Sequence, residues 1–202
     1  MKNVAKRRRG GALPGAVRII GGKWRGRRLA VVEAPGLRPT ADRIRETLFN
    51  WLTPAIDGAR CLDLFAGTGA LGLEALSRGA AAVCFVEYQA AVARALEASL
   101  ERLGCDTAQV VVADARRFLG GRPRRFDVVF LDPPFDDDVG LGDLCTLLGT
   151  GWLAGDARVY LEMPRDQGLT VLPPGWTVLR EKSAGQVRYA LASAPRHPSG
   201  GG

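Results

Sequence analysis

The stretch Val128-Val-Phe-Leu-Asp-Pro-Pro-Phe135 ends an apolar run in an acid, two prolines and an aromatic ring. Consecutive prolines fix an extended, rigid turn and cannot continue a helix. Such a turn holds the Asp132 carboxylate and a main-chain carbonyl of Pro133 or Pro134 as acceptors, with Phe135 as a flat face beside them. Those groups suit a planar base that carries an exocyclic amine. The acceptors take its N–H groups and leave the nitrogen lone pair free, and the ring stacks on Phe135.

A second constellation is Leu62-Asp-Leu-Phe-Ala-Gly-Thr-Gly-Ala-Leu-Gly72. Gly67, Gly69 and Gly72 match G-x-G-x-x-G, and Glu87 follows 20 residues after Gly67. Glycines let a backbone turn sharply and approach a ligand, while a later acid can accept both ribose hydroxyls. A dinucleotide site would hold a pyrophosphate at the helix N-terminus. Asp63, four residues before Gly67, makes a poor phosphate neighbour and a good partner for a cation, such as the ammonium of a methionyl group. S-adenosylmethionine has that ammonium, a sulfonium and a ribose. Asp114, in Val112-Ala-Asp-Ala, is then placed to accept from the adenine amino group. A methyl donor beside an amine site means N-methyl transfer.

The third group is basic. Lys23, Arg25, Arg27 and Arg28 surround a glycine-rich turn that also holds Trp24, which suits phosphate contacts plus one stacking surface. Arg43 and Arg45 follow on a helix. Of a net charge of +7, residues 1–50 carry 13 Lys/Arg against 3 Asp/Glu, and the remainder 15 against 18. A basic end on a near-neutral body is the pattern of a chain that meets a polyanion. His197, the one histidine, lies in the tail, so a Ser-His or Cys-His triad and a histidine-ligated zinc are not expected. Cys61, Cys84, Cys105 and Cys145 lie 23, 21 and 40 residues apart, without metal or redox spacing, and read as free thiols. No metal is expected.

The elements that must position these groups follow from periodicity. Apolar runs at Cys61–Ala66, Ala82–Glu87, Gln109–Ala113, Asp127–Leu131 and Arg158–Glu162 read as buried strands. Ala70–Arg78, Gln89–Leu103 and, more weakly, Gly140–Leu148 read as the helices between them. Alternation of this kind predicts a mostly parallel sheet covered on both faces. Thr177–Glu181 and Val187–Ala192 form a closing hairpin, and Val17–Ile20 with Leu29–Val32 form a basic one at the other end. Thr40 is an N-cap for a helix whose apolar stripe is Ile44, Leu48, Trp51 and Leu52.

Asp-Pro-Pro-Phe with the glycine loop resembles the class I S-adenosylmethionine-dependent amino-methyltransferases. More narrowly, four stretches resemble the bacterial RsmD-type family, which methylates the N2 of a guanine in small-subunit ribosomal RNA: Arg18–Leu29, Arg38–Leu52, Leu62–Ala80 and Glu181–Tyr189. The likeness runs from about Val17 to Ala192. It implies an α/β fold with a Rossmann-like, seven-stranded, mainly parallel sheet, an antiparallel C-terminal hairpin and a small basic N-terminal extension over the carboxyl ends of the strands. It also implies cofactor roles for Phe65, Thr68, Tyr88 and Ala115 beside Asp63, Gly67, Gly69, Glu87 and Asp114. The partner implied is ribosomal RNA within the small subunit, met by a cytoplasmic monomer.

The expected organisation is a basic, disordered arm at 1–16, an RNA-binding hairpin and helix at 17–55, a methyltransferase domain at 56–194 and a disordered tail at 195–202. At 202 residues with 47% hydrophobic and 24% charged residues, the chain fits one globular unit, and no apolar run approaches a membrane span of roughly 18 residues. Three other readings stand beside this one. They are an adenine-N6 or glutamine-N5 methyltransferase, a nucleotide-dependent dehydrogenase resting on the glycine motif, and a non-catalytic RNA-binding factor.

Overall fold

A computed structural model describes residues 16–30, 42–134, 140–167 and 172–195. The arm at 1–15, Val31 and Val32, the Thr40 cap, Phe135, His197 and the tail from 196 lie outside the described residues.

Seven strands form the main sheet: β3 (Arg60–Asp63), β4 (Ala82–Glu87), β5 (Ala108–Val112), β6 (Phe126–Leu131), β7 (Leu153–Pro164), β8 (Thr177–Ala184) and β9 (Val187–Ser193). Their spatial order is β5-β4-β3-β6-β7-β9-β8, parallel through β7 and antiparallel in the final hairpin. This is the expected sheet. The chain builds β3, β4 and β5 outward in one direction, then returns to lay β6 on the other side of β3. That reversal opens a crevice at the carboxyl ends of β3 and β6, where open α/β sheets bind ligands.

Alternate residues of each strand feed two cores. Cys61, Phe85, Val128, Phe130 and Tyr160 face helices α1 (Asp42–Ile56), α2 (Ala70–Ser77) and α3 (Ala90–Leu103). Leu62, Val86, Val129, Leu131 and Leu161 face α4 (Ala115–Leu119) and α5 (Leu141–Leu148). Gly72 lets α2 sit close on the sheet, since a Cβ there would lie 2.2 Å from the Phe85 ring. Cys61, Cys84 and Cys145 are buried free thiols whose pKa values burial raises, as expected of structural cysteines. Among the described residues, no helix is long and apolar enough to cross a membrane.

The N-terminal strands β1 (Ala16–Arg18) and β2 (Arg28–Ala30) pair antiparallel, and Ile19, Trp24 and Leu29 join the α1–α3 core. The turn between the strands docks on the C-terminal end of α2. Ser77 Oγ accepts from Trp24 N at 2.9 Å and donates to Gly21 O at 2.6 Å, and the Ser77 carbonyl accepts from Lys23 N at 2.7 Å. Gly22 has φ 72°, and a Cβ there would overlap the Ser77 carbonyl at 1.7 Å. Any other residue would push the turn off the helix.

This corrects an expectation. Because α2 starts at the carboxyl edge, its far end lies toward the opposite edge, so the basic turn is not over the strand ends. Among the described N-terminal residues, the start of α1, with Asp42 and Arg43, is the end that points toward that edge. α1 then descends to lead into β3.

Candidate active site

Four carboxyl groups stand in a row at the carboxyl ends of neighbouring strands. Asp63 ends β3, Glu87 ends β4, Asp132 follows β6 and Glu162 lies near the end of β7. The alternation that sends Cys61, Phe85, Phe130 and Tyr160 to one core puts all four acids on that same face.

Asp63 and Glu87 are each held by backbone. Asp63, buried, accepts from Gly72 N at 3.1 Å. Burial lifts its carboxyl to about 7, the Asp132 and Glu87 charges add to the rise, and the Gly72 and Phe65 amides oppose it. Glu87 accepts from Gly67 N at 2.9 Å and from Gln89 N at 2.8 Å, so one acid ties the glycine loop to the start of α3. An ionised carboxylate offers about four lone-pair directions, which leaves two for a diol. Gly69 is buried in the same loop, with Phe65 and Thr68 half-buried beside it. Tyr88 is 60% exposed at the end of β4 and offers a free aromatic face. Asp114 caps α4 through Arg117 N at 3.0 Å, which engages one of its oxygens, and Ala115 behind it is buried.

The loop's chemistry decides what it can hold. The Gly67 and Gly72 amides, which a pyrophosphate would need, already donate to Glu87 and Asp63. A second anion would meet those carboxylates at once. A diol and a cation fit instead.

Asp132 is half-buried and Pro133 is buried at the reversal point, with Pro134 half-buried after it. Asp132 raises the carboxyl of Glu162 on the next strand. Glu162 itself had no assigned role in the sequence, although an acid inside the apolar run Val159-Tyr-Leu-Glu-Met163 was the available signal. Burial raises its carboxyl first, Asp132 second, and the Tyr160 hydroxyl, donating at 2.7 Å, opposes both.

The basic residues divide. Lys23, Arg25, Arg27, Arg28 and Arg43 are exposed. Two others are corrected. Trp24 is only 7% exposed and packs in the core, with the Lys23 ammonium 4.4 Å from its ring centre, so it is not a stacking platform for a base. Arg45 is 1% exposed and donates to Arg18 O at 2.9 Å and Asp42 at 2.6 Å, so it cannot grip a phosphate.

A family model described as "Conserved hypothetical protein 95" matches residues 17–193. The chain belongs to that family. It is 50% identical over 177 residues to the Ribosomal RNA small subunit methyltransferase D of Escherichia coli (strain K12), covering 88% of this chain and 89% of that protein. A solved structure from Escherichia coli is 47% identical, with a TM-score of 0.84 over 90% of this chain and 99% of that one. A more distant neighbour solved with SAH, 16% identical, shares the fold at a TM-score of 0.67 over 91% of this chain and 57% of its own. This member of the family is a methyltransferase, and the methyl donor expected from its sequence is S-adenosylmethionine. The residues fit that cofactor: Asp63 for the ammonium, Glu87 for the ribose hydroxyls, Tyr88 and Asp114 for the adenine.

A pH test follows. A cation needs the ionised Asp63, whereas the free site keeps its proton up to about 7, so binding expels a proton and acid opposes it. Cofactor affinity should therefore fall by up to about tenfold per pH unit below neutrality. Calorimetric titration across that range reads the slope directly, and Asp63→Asn should bind weakly with no slope. A wild-type affinity independent of pH would remove Asp63 from the ammonium site.

Proposed function

We propose that this chain transfers a methyl group from S-adenosylmethionine to the exocyclic N2 amine of a guanine in bacterial small-subunit ribosomal RNA. The observation that carries the reading is Asp132, on a proline-locked turn at the sheet reversal, one strand away from the cofactor acid Asp63. Identity to the small subunit methyltransferase D supports the same substrate. The bound cofactor supplies an electrophilic methyl group on a sulfonium. Asp132 accepts one amine N–H, aims the nitrogen lone pair away from itself and stabilises the positive charge that grows on nitrogen. The surplus proton leaves after transfer, so no strong base is required. The dehydrogenase reading fails on the occupied loop amides, and a purely binding protein has no use for the row of acids.

We assign the RNA grip to residues 17–55 and the chemistry to 56–194, acting as a cytoplasmic monomer on RNA within the small subunit. Lys23, Arg25, Arg27 and Arg28 would hold backbone along the outer side of α2, and Arg43 would hold it at the strand ends. A helix of 8 residues is about 12 Å long, so the strand must run that distance from the hairpin turn to the site. Neutralising Arg25, Arg27 and Arg28 together should flatten the dependence of RNA affinity on log salt by about 2, at roughly 0.7 per phosphate contact. Cofactor affinity should stay constant. An unchanged slope sinks the hairpin as the grip. The direct test of the reading is labelled methyl transfer to unmethylated small subunits and to their naked RNA, followed by nucleoside analysis; a label on any atom other than guanine N2 refutes it.

A further inference from the structure

Glu162 stands on the side of Asp132 away from the cofactor acids. The β6–β7 register ends at Leu131 opposite Leu161, so the next residues, Asp132 and Glu162, lie side by side. On its other flank Glu162 pairs with Tyr189 of β9, whose ring stacks on Trp51 of α1 at 5.5 Å. Glu162 is 5% exposed, and among the described residues only Tyr160 donates to its carboxylate, through Oε2 at 2.7 Å. That bond and the Tyr189 flank fix the side chain. A buried acid with no cation beside it, next to a second acid, is a costly arrangement for stability alone.

We propose that Glu162 reads the target base, accepting guanine N1–H while Asp132 accepts the N2 amine, so that the pair selects guanine over bases without the N1 proton. This rests on the guanine reading above. Guanine presents N2–H and N1–H side by side, two donors for two acceptors. Adenine presents its amine beside the N1 lone pair, which would face a carboxyl oxygen. Neighbouring strands lie about 4.8 Å apart, close enough for both side chains to converge on one base edge. An ionised carboxylate only accepts, whereas a protonated carboxyl could also donate to an unprotonated N1, so the preference belongs to the ionised form of Glu162 and should widen as the pH rises.

The test replaces the methylated guanosine, once located with the wild-type enzyme, by 2-aminopurine riboside in the same RNA. That base keeps the N2 amine and has an unprotonated N1. At a pH above about 8, where Glu162 is ionised, wild type should transfer methyl to it roughly 10–100-fold more slowly than to guanine, as expected for losing a hydrogen bond to a charged group. Glu162→Ala should slow on guanine and treat the two bases alike. Glu162→Gln still accepts guanine N1–H through its carbonyl oxygen, but its amide can also donate to an unprotonated N1, so it should keep activity on guanine and lose part of the preference. Equal wild-type rates on both bases overturn the proposal without any variant, as does an undiminished preference in Glu162→Ala with wild-type cofactor affinity. A wild-type enzyme that labels an atom other than guanine N2 overturns the underlying reading instead, and this is seen before the analogue is used.

Discussion

Replacing Asp132 with alanine should slow single-turnover methyl transfer by on the order of 10²–10³, the usual loss for one preorganised electrostatic partner. The position is rigid for local reasons. Val128 to Leu131 are fully buried in the sheet, and Pro133 is buried immediately after, so the carboxylate cannot drift between conformers. Cofactor binding should not suffer. Asp132 is one of the charges that hold the Asp63 proton, and its removal eases ionisation of Asp63. Near neutral pH the alanine variant should therefore bind S-adenosylmethionine at least as well as wild type. Asp132→Asn separates two contributions, because it keeps an acceptor oxygen but loses the charge. Its rate should fall between the other two. Rapid quench with labelled methyl donor gives all three rates, and a wild-type rate in the alanine variant would show that the amine is held elsewhere.

The parts legible in the sequence share one property: the residue type and its neighbours point to the same answer. Glu87 and Asp132 each end an apolar run, and a buried strand that stops at an acid announces both the strand and the site. The mostly parallel sheet followed from the alternation of such runs with helices. Where the type is ambiguous, the pattern misleads. Trp24 and Arg45 sit in glycine-rich or basic surroundings that look alike whether they face RNA or the core, and the partner that buries them, α2, is distant in sequence. Helix α4, with 5 residues, is too short to show a period, and its one signal was Asp114 as a cap. Glu162 carried the same signal as Asp132 without the prolines that drew the eye. Glu74 was hidden for the opposite reason: Ala70-Leu-Gly-Leu-Glu-Ala-Leu-Ser77 reads as core throughout, and a single acid in it looks like the solvent face.

Glu74 is fully buried and holds the N-terminal hairpin, so Glu74→Ala should have the largest effect on stability. One carboxylate accepts from Ile20 N at 2.7 Å, from Gly21 N at 2.8 Å and from Arg78 Nε at 2.6 Å. Its Oε2 also lies 3.9 Å from Nη1 of the buried Arg45. Removing it leaves two amides without their acceptor and Arg45 without its nearest buried countercharge. Breaking a buried pair from one side costs about 3–5 kcal/mol, which lowers Tm by roughly 10 °C in a domain of this size. The loss should be felt first at the hairpin. Trypsin should cut among Lys23, Arg25, Arg27 and Arg28 under conditions in which the wild-type turn resists, and RNA methylation should fall further than cofactor binding. Arg45 keeps Asp42 and the Arg18 carbonyl but loses its buried countercharge, so Arg45→Met in the same chain should return part of the lost stability, although Arg45→Met alone is destabilising. Urea unfolding of wild type, both single variants and the double variant measures the coupling. Simple additivity, with the double variant less stable than Glu74→Ala, would mean that Arg45 is satisfied by Asp42 and the Arg18 carbonyl alone, and that Glu74 acts only on the hairpin backbone.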